Sequence, residues 1–377
     1  MRIVADRVIS DAEAAFGSFG EVALLDGRRI GPGDLRDADV LLVRSVTHVD
    51  TRLLAGSRVR FVGTATAGTD HIDLAYLAAA GIGFAAAPGC NARAVGEYVL
   101  ACVLAWAEAR GRAPTGLRCG LIGVGHAGSA ARALLQAVGV RCLLHDPPRA
   151  RREGAAGFVD LDAVLGADVI SLHVPLASAG ADATHHLLDR RRLAQIPPGS
   201  LLINAARGGV VDEAALLQRL ETGQLEAVLD CWEGEPAPWP ELVSAAWVAT
   251  PHVAGHSVEA RRRATRQLRD ALLHHFGGAA SDYTPSDNAL LPGVSLAASG
   301  AAAVRAAVAL CCDPCRDTPA LQALARAGRP ALAAGFDSLR AAAGVRREFT
   351  AQPVALAMPD PDTAALLHRI NFPEGSS

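Results

Sequence analysis

Three short segments of this 377-residue chain carry side chains whose types and order could do chemistry. Asn204-Ala205-Ala206-Arg207-Gly208-Gly209 presents an arginine ahead of two glycines. Leu229-Asp230-Cys231-Trp232-Glu233-Gly234-Glu235-Pro236 offers acids, and Thr250-Pro251-His252-Val253-Ala254-Gly255-His256 offers histidines. Each follows a short apolar run that reads as a strand, so all three fall at strand C-termini, the edge where functional groups collect in open α/β sheets. An arginine there can grip a carboxylate through two parallel hydrogen bonds. A histidine can take the proton of a hydroxyl, and a glutamate bonded to the imidazole favours the charged form that results. An arginine, a glutamate and a histidine at three such strand ends are therefore what hydride-transfer oxidation of a hydroxy acid needs.

A cofactor signature precedes them. Gly123-Val124-Gly125-His126-Ala127-Gly128 fits G-x-G-x-x-G, follows the apolar run Arg118–Val124 and opens a helical pattern over Ala127–Ala137. The next strand, Arg141–His145, leads into Asp146, close to the ~20-residue separation of a dinucleotide site. Gly123 allows a tight turn, and Gly125 lets backbone N–H groups, those of His126 and Ala127 among them, approach a pyrophosphate at the helix N-terminus. Gly128 permits close helix–strand packing. Asp146 would accept hydrogen bonds from ribose hydroxyls and repel a 2′-phosphate, which favours NAD.

The elements that must position these groups are legible as alternation. Ile3–Ala5, Val22–Leu25, Val40–Val43, Arg60–Gly63 and Gly83–Ala86 read as buried parallel strands. A helix follows over Asn91–Arg110, with Val95, Val99, Cys102 and Trp106 on one stripe. From Leu117 the alternation restarts, with strands at Arg118–Val124, Arg141–His145, Asp168–His173, Ser200–Asn204, Ala227–Asp230 and Trp247–Ala249, and helices that include Asp212–Glu221. This implies doubly wound parallel sheets. An arginine-rich helix over Val258–Phe276 reads as having a solvated charged face, and Gly277-Gly278 with 281–286 reads as a linker.

Composition bounds the function. Half the residues are hydrophobic, a fifth are charged, and the net charge is −3, which argues against nucleic acid. Every one of the 36 basic residues is arginine. No apolar run reaches transmembrane length, and the N-terminus lacks a signal peptide's apolar core, so a soluble cytoplasmic protein with no membrane partner is expected. Cys312-x-x-Cys315 is half a zinc pattern without a second pair, and no metal is expected.

The glycine motif, Arg-Gly-x-x-Val-Asp, the Asp-x-x-x-x-Glu-Pro segment and Pro-His-x-Ala-Gly together resemble the D-isomer-specific 2-hydroxyacid dehydrogenases. The resemblance implies catalytic Arg207, Glu235 and His252, with Asp230 close to the nicotinamide. It also implies Val174, Ala205, Ala206 and Gly255 at the cofactor, and two halves with NAD in the cleft. Further segments narrow it: Val43-Arg44-Ser45-Val46-Thr47, Gly63-Thr64-Ala65-Thr66-Ala67-Gly68-Thr69-Asp70-His71, Ala87-Pro88-Gly89-Cys90-Asn91-Ala92 and Gly335-Phe336-Asp337-Ser338-Leu339-Arg340 with Arg346-Arg347-Glu348-Phe349. These resemble the branch of that family that oxidises 4-phospho-D-erythronate on the route to pyridoxal phosphate (vitamin B6).

That branch implies an α/β fold with two doubly wound parallel-sheet domains and a small α+β C-terminal domain. The flavodoxin-like substrate domain would take residues 1–95 and 256–280, and the Rossmann NAD domain 96–255. Residues 281–377 would form a homodimer interface. Arg44, Ser45, Thr66 and His256 would contact a phosphorylated hydroxy acid, and Arg346 and Arg347 either reach a phosphate across the dimer or are a solvated pair. His48, His256 and Val174 stand where the branch usually has lysine, tyrosine and threonine. A dehydrogenase for another phosphorylated hydroxy acid, such as 3-phosphoglycerate, and a non-catalytic NAD-sensing scaffold are the alternatives.

Overall fold

The computed structural model describes residues 1–277, 283 and 289–375. Apart from Gly277 and Tyr283, the stretch read as a linker lies outside the described residues. Contacts divide the chain into two compact units, Met1–Asn91 with Val258–Asn288 and Ala92–Ser257 with Ala289–Ser377. The C-terminal residues thus group with the second unit, where the sequence reading set 281–377 apart.

In the first unit, β1 (Arg2–Asp6), β2 (Glu21–Leu25), β3 (Val40–Val43), β4 (Phe61–Thr64) and β5 (Gly83–Ala85) form a parallel sheet in the order β2-β1-β3-β4-β5. Every residue of β3 and β4 is buried, as a parallel sheet covered on both faces requires. Val4, Leu41, Val43 and Val62 point into one core, and Ile3, Ala5, Val40, Leu42 and Phe61 into the other. The helix Val258–Phe276 covers the second face with Leu268 and Leu272.

Its arginine run is not the solvated face that the charges suggest. Arg266 is exposed, but Arg269 is buried and lies over the Tyr283 ring, Arg262 sits 3.9 Å from Asp11, and Arg263 Nε donates to the Cys90 carbonyl at 2.7 Å. A long guanidinium-tipped stem can lie along apolar surface and still reach a polar partner.

In the second unit, β6 (Arg118–Ile122), β7 (Arg141–His145), β8 (Val169–Leu172), β9 (Ser200–Asn204), β10 (Leu225–Leu229) and β11 (Val248–Ala249) form a parallel sheet ordered β11-β10-β9-β8-β6-β7. The order reverses at β6 and β8, and this opens a crevice at their C-terminal ends. The helix Ala92–Ala109 is buried nearly all round from Ala94 to Ala107 rather than along one stripe. The helix His126–Ala137 packs on one side of it, and the C-terminal helices Gly300–Cys311 and Pro314–Arg326 pack on another. A small parallel pair, β12 (Val294–Leu296) with β13 (Val354–Leu356), completes the C-terminal part.

Arg346 is not solvated but largely buried and bonded within its own chain. Its guanidinium donates to the Ala94 carbonyl at 2.7 Å and to Cys312 Sγ at 3.0 Å, and it lies 3.9 Å from the buried Glu97 carboxylate. Glu97 in turn accepts the Phe349 N–H at 3.0 Å, and burial pushes its carboxyl up to about 8 despite Arg346. The partly exposed Arg347 donates to the Ala289 carbonyl at 2.8 Å. The tail motif is thus tied to the start of the long helix.

Candidate active site

The glycine turn is built by steric necessity at two positions. Gly123 has φ +86°, and a Cβ there would stand 2.8 Å from the His173 carbonyl carbon. A Cβ on Gly128 would stand 2.1 Å from the Gly123 carbonyl oxygen. Gly125, by contrast, faces open space and caps the helix His126–Ala137 with no side-chain acceptor, so the first backbone N–H groups there are presented outward. This is the cradle a pyrophosphate needs.

Asp146, the expected ribose acceptor, also has structural partners at the end of its strand. Its Oδ2 accepts the Val124 N–H at 2.7 Å and its Oδ1 accepts the Arg149 N–H at 2.9 Å, so it also pins the glycine turn and caps the next helix. Each oxygen keeps a lone pair for a ribose hydroxyl. Val174 lies under the turn, with Cγ1 2.9 Å from where a Gly123 Cβ would be. The neighbouring His173 imidazole is pushed down to about 4 by burial and is neutral.

The three chemical segments converge in this same unit. Asn204, at the end of β9, accepts the Ala206 N–H at 3.2 Å and donates to the Arg207 carbonyl at 2.9 Å, closing the turn Ala205–Arg207 on itself. Gly208 then permits an approach no other residue allows. A Cβ there would stand 2.0 Å from the Trp232 carbonyl carbon, so the Arg207 turn packs directly on the segment that leads to Glu235. Arg207 Nη1 is held by the Ala206 carbonyl at 2.7 Å.

His252 Nδ1 lies 2.9 Å from Glu235 Oε2 and 3.1 Å from Oε1, and Oε1 also accepts the Trp232 N–H at 2.9 Å. Burial acts to raise the Glu235 carboxyl, but the His252 charge and hydrogen bond, the Trp232 N–H and Arg340 outweigh it and hold the group below its ordinary range. Glu235 is therefore an anion beside the imidazole. His252 itself has φ +57°, a strained conformation for a non-glycine residue.

Asp230 explains how that strain is held. Buried at the end of β10, it accepts the Thr250 hydroxyl at 2.6 Å, the Val253 N–H at 2.7 Å and the Ala254 N–H at 2.9 Å, gripping the chain on both sides of His252. Burial raises the Asp230 carboxyl overall, against the His252 charge and those three donors. Thr250 is bonded in turn to the Tyr98 hydroxyl at 2.7 Å. Gly255 and His256 follow in the same loop, with the His256 N–H closing a turn on the Val253 carbonyl at 2.8 Å.

Two supporting residues escaped the sequence reading. Asn204 carried a local signal, a turn-forming residue at a strand end. Glu213 carried none: its Oε1 accepts the Glu233 N–H at 2.7 Å across twenty positions of sequence. It is buried, and burial with the Glu233 and Glu235 charges pushes it up to about 8.

The remaining candidates belong to the first unit. Arg44 Nε bonds the buried Asp6 carboxylate at 3.0 Å, and Ser45 is exposed in the turn after β3. The Thr66 hydroxyl donates to the Gly68 carbonyl at 2.7 Å and lies 2.8 Å from Thr64 Oγ1, shaping the loop after β4. His48 is exposed.

Comparison with known proteins shows the family. Residues 101–254 match the family described as D-isomer specific 2-hydroxyacid dehydrogenase, NAD binding domain. The fold is shared with the D-lactate dehydrogenase of Aquifex aeolicus complexed with NAD and lactic acid (TM-score 0.60, 23% identity, 72% of this chain and 95% of that one). The erythronate-4-phosphate dehydrogenase of Chromohalobacter salexigens is 44% identical over 362 residues, 94% of each chain. That of Edwardsiella ictaluri is 45% identical over 377 residues, 99% of each. The chain therefore belongs to the erythronate-4-phosphate dehydrogenase family, within the D-isomer-specific 2-hydroxyacid dehydrogenases, and is an NAD-dependent dehydrogenase.

Proposed function

We propose that the protein oxidises 4-phospho-D-erythronate at C2 to the 2-oxo acid, in vitamin B6 synthesis. The observation that carries the chemistry is the His252–Glu235 pair, 2.9 Å apart, on a backbone that Asp230 holds in place. With Nδ1–H given to Glu235, the Nε2 lone pair of His252 is free to take the C2 hydroxyl proton. The imidazolium that results is met by a carboxylate already ionised. Arg207 and the turn closed by Asn204 hold the C1 carboxylate. NAD, seated by the glycine turn and Asp146 with Val174, Ala205, Ala206, Asp230 and Gly255 around it, supplies the hydride acceptor. Arg44, Ser45, Thr66 and His256 contact the rest of the substrate.

The family's name supports the substrate, and the assay is direct. Purified protein with NAD is given 4-phospho-D-erythronate and, separately, 3-phosphoglycerate, with and without an added 2-oxo acid to reoxidise any retained NADH. Selective turnover of phosphoerythronate is expected. Turnover of 3-phosphoglycerate alone would reassign the substrate, and NAD binding without turnover of either would favour the scaffold alternative.

We also infer a homodimer through the C-terminal part. Its support is that Leu290, Leu310, Val345 and Met358, all in that part, are exposed large apolar side chains. A Val345→Asp, Met358→Asp double variant should sediment as a monomer. Among the described residues no helix is long and apolar enough to cross a membrane, and all eight cysteines are free thiols, which suits a cytoplasmic location.

A further inference from the structure

His185 and His186 are neighbours in sequence, and in an extended chain neighbouring side chains point to opposite sides. Here they do not. His186 has φ +47°, which turns the chain so that the two imidazoles stack, with ring centroids 4.0 Å apart and planes 20° apart. The backbone is pinned on both sides of this turn. The His185 N–H donates to the Ala177 carbonyl at 3.0 Å, the His186 N–H to the Gly209 carbonyl at 2.8 Å and the Leu188 N–H to the Val210 carbonyl at 3.1 Å.

Glu233 joins the pair from 47 positions further on, with Oε1 2.7 Å from His186 Nε2. Its own N–H is fixed by the buried Glu213 carboxyl at 2.7 Å. One ring nitrogen of each histidine and one Glu233 oxygen therefore lie within 4.8 Å of one another. A His–Glu pair alone accounts for His186 and Glu233, but not for a second imidazole stacked beside them. Among the described residues the exposed His185 ring makes that stacking contact and no hydrogen bond.

Imidazole nitrogen and carboxylate oxygen are donors that Zn2+ and its neighbours in the transition series accept. A tetrahedral shell with bonds of about 2.0–2.2 Å holds its donors roughly 3.3 Å apart, so side-chain torsions alone bring these three into range. We propose that His185, His186 and Glu233 form a binding site for a divalent transition-metal ion of the zinc type, with water at the fourth position. Coordination takes the place of the His186–Glu233 hydrogen bond and ties the turn after Thr184 to the segment that leads to Glu235. The site is independent of which hydroxy acid is the substrate.

The test is titration calorimetry of the chelator-treated protein with Zn2+, beside His185→Ala and Glu233→Gln. The wild type should take up one ion per chain with a micromolar Kd, and its Tm should rise with Zn2+. Loss of an outer partner of a metal ligand already costs about tenfold to a hundredfold in affinity, so loss of a ligand should weaken the Kd at least tenfold. Without metal, His185→Ala should keep the wild-type Tm and a kcat within twofold, because its ring bonds nothing. No saturable binding by the wild type overturns the site, and so does an equal Kd in His185→Ala. Co2+ in place of Zn2+ gives the location: an imidazole–carboxylate site shows no thiolate charge-transfer band. A thiolate band that persists in His185→Ala would put the ion at Cys231, Glu235 and His252 and also overturn the proposal.

Discussion

Replacing Glu235 by glutamine tests the dyad without emptying its place. The side chain bonds through two oxygens, Oε2 to His252 Nδ1 at 2.9 Å and Oε1 to the Trp232 N–H at 2.9 Å. Glutamine keeps one oxygen and can still anchor Trp232, so the loop should hold while the charge on the imidazole's partner is lost. A hydrogen bond to a charged group is worth about 1.5–3 kcal/mol. The Glu235 and His252 side chains are 24% and 28% exposed, so solvent screens the pair in part and the lower half of that range applies. At about 1.4 kcal/mol per decade of rate, kcat should fall about tenfold to fortyfold. Stopped-flow and steady-state measurement of NADH formation, with Kd for NAD measured alongside, reads the effect. The Kd should stay within twofold, because no cofactor contact is touched. A folded variant with kcat within twofold of wild type would refute the claim that Glu235 stabilises the imidazolium.

Three further outcomes follow from the geometry. Gly128→Ala places a methyl 2.1 Å from the Gly123 carbonyl oxygen, so the glycine turn must shift; NAD affinity should drop more than tenfold with only a modest loss of Tm, and unchanged affinity would mean that the turn does not seat the dinucleotide. Glu213, pushed up to about 8 by burial from its ordinary 4.5, holds a proton in the folded state that the unfolded chain gives up; the associated stability is full below about pH 4.5 and lost as pH rises to about 8. The slope from this one group is at most ~1.4 kcal/mol per pH unit. Glu213→Gln should therefore flatten the wild-type decline in urea-unfolding free energy between pH 5 and 8, and parallel curves would contradict the shift. Arg346→Ala removes the guanidinium 3.9 Å from Glu97 and its bond to the Ala94 carbonyl. The cost should be about 3 kcal/mol by the same measurement, the low end for breaking a buried pair because Glu97 can take a proton instead of remaining charged. A loss below 0.5 kcal/mol would show that the tail motif is not anchored through Arg346.

The amino-acid sequence by itself determined what is local. Strands Val40–Val43, Arg141–His145 and Ser200–Asn204 and the helix Val258–Phe276 stand where apolar runs and periodicity put them, because burial of a strand or a helix face leaves its mark within a few residues. The glycine turn was legible for the same reason: Gly123 and Gly128 answer to contacts made within one strand–turn–helix unit and the segment after the adjoining strand, while Gly125 faces open space at the helix start. Tertiary structure alone decided what depends on distant partners. The stripe on Ala92–Ala109 understated its burial, since helices from beyond residue 299 cover it in addition to His126–Ala137. The arginines of Val258–Phe276 and Arg346 look like solvent-facing charge in sequence, yet Arg263 finds its acceptor 173 positions away and Arg346 finds one 252 positions away. So too with the supports of the site: Asp230 grips the His252 backbone across 23 positions, and Arg340 reaches His256 across 84. A side chain's type states which bonds it can make, but the partner that satisfies it is set by where the whole chain brings buried polar groups together.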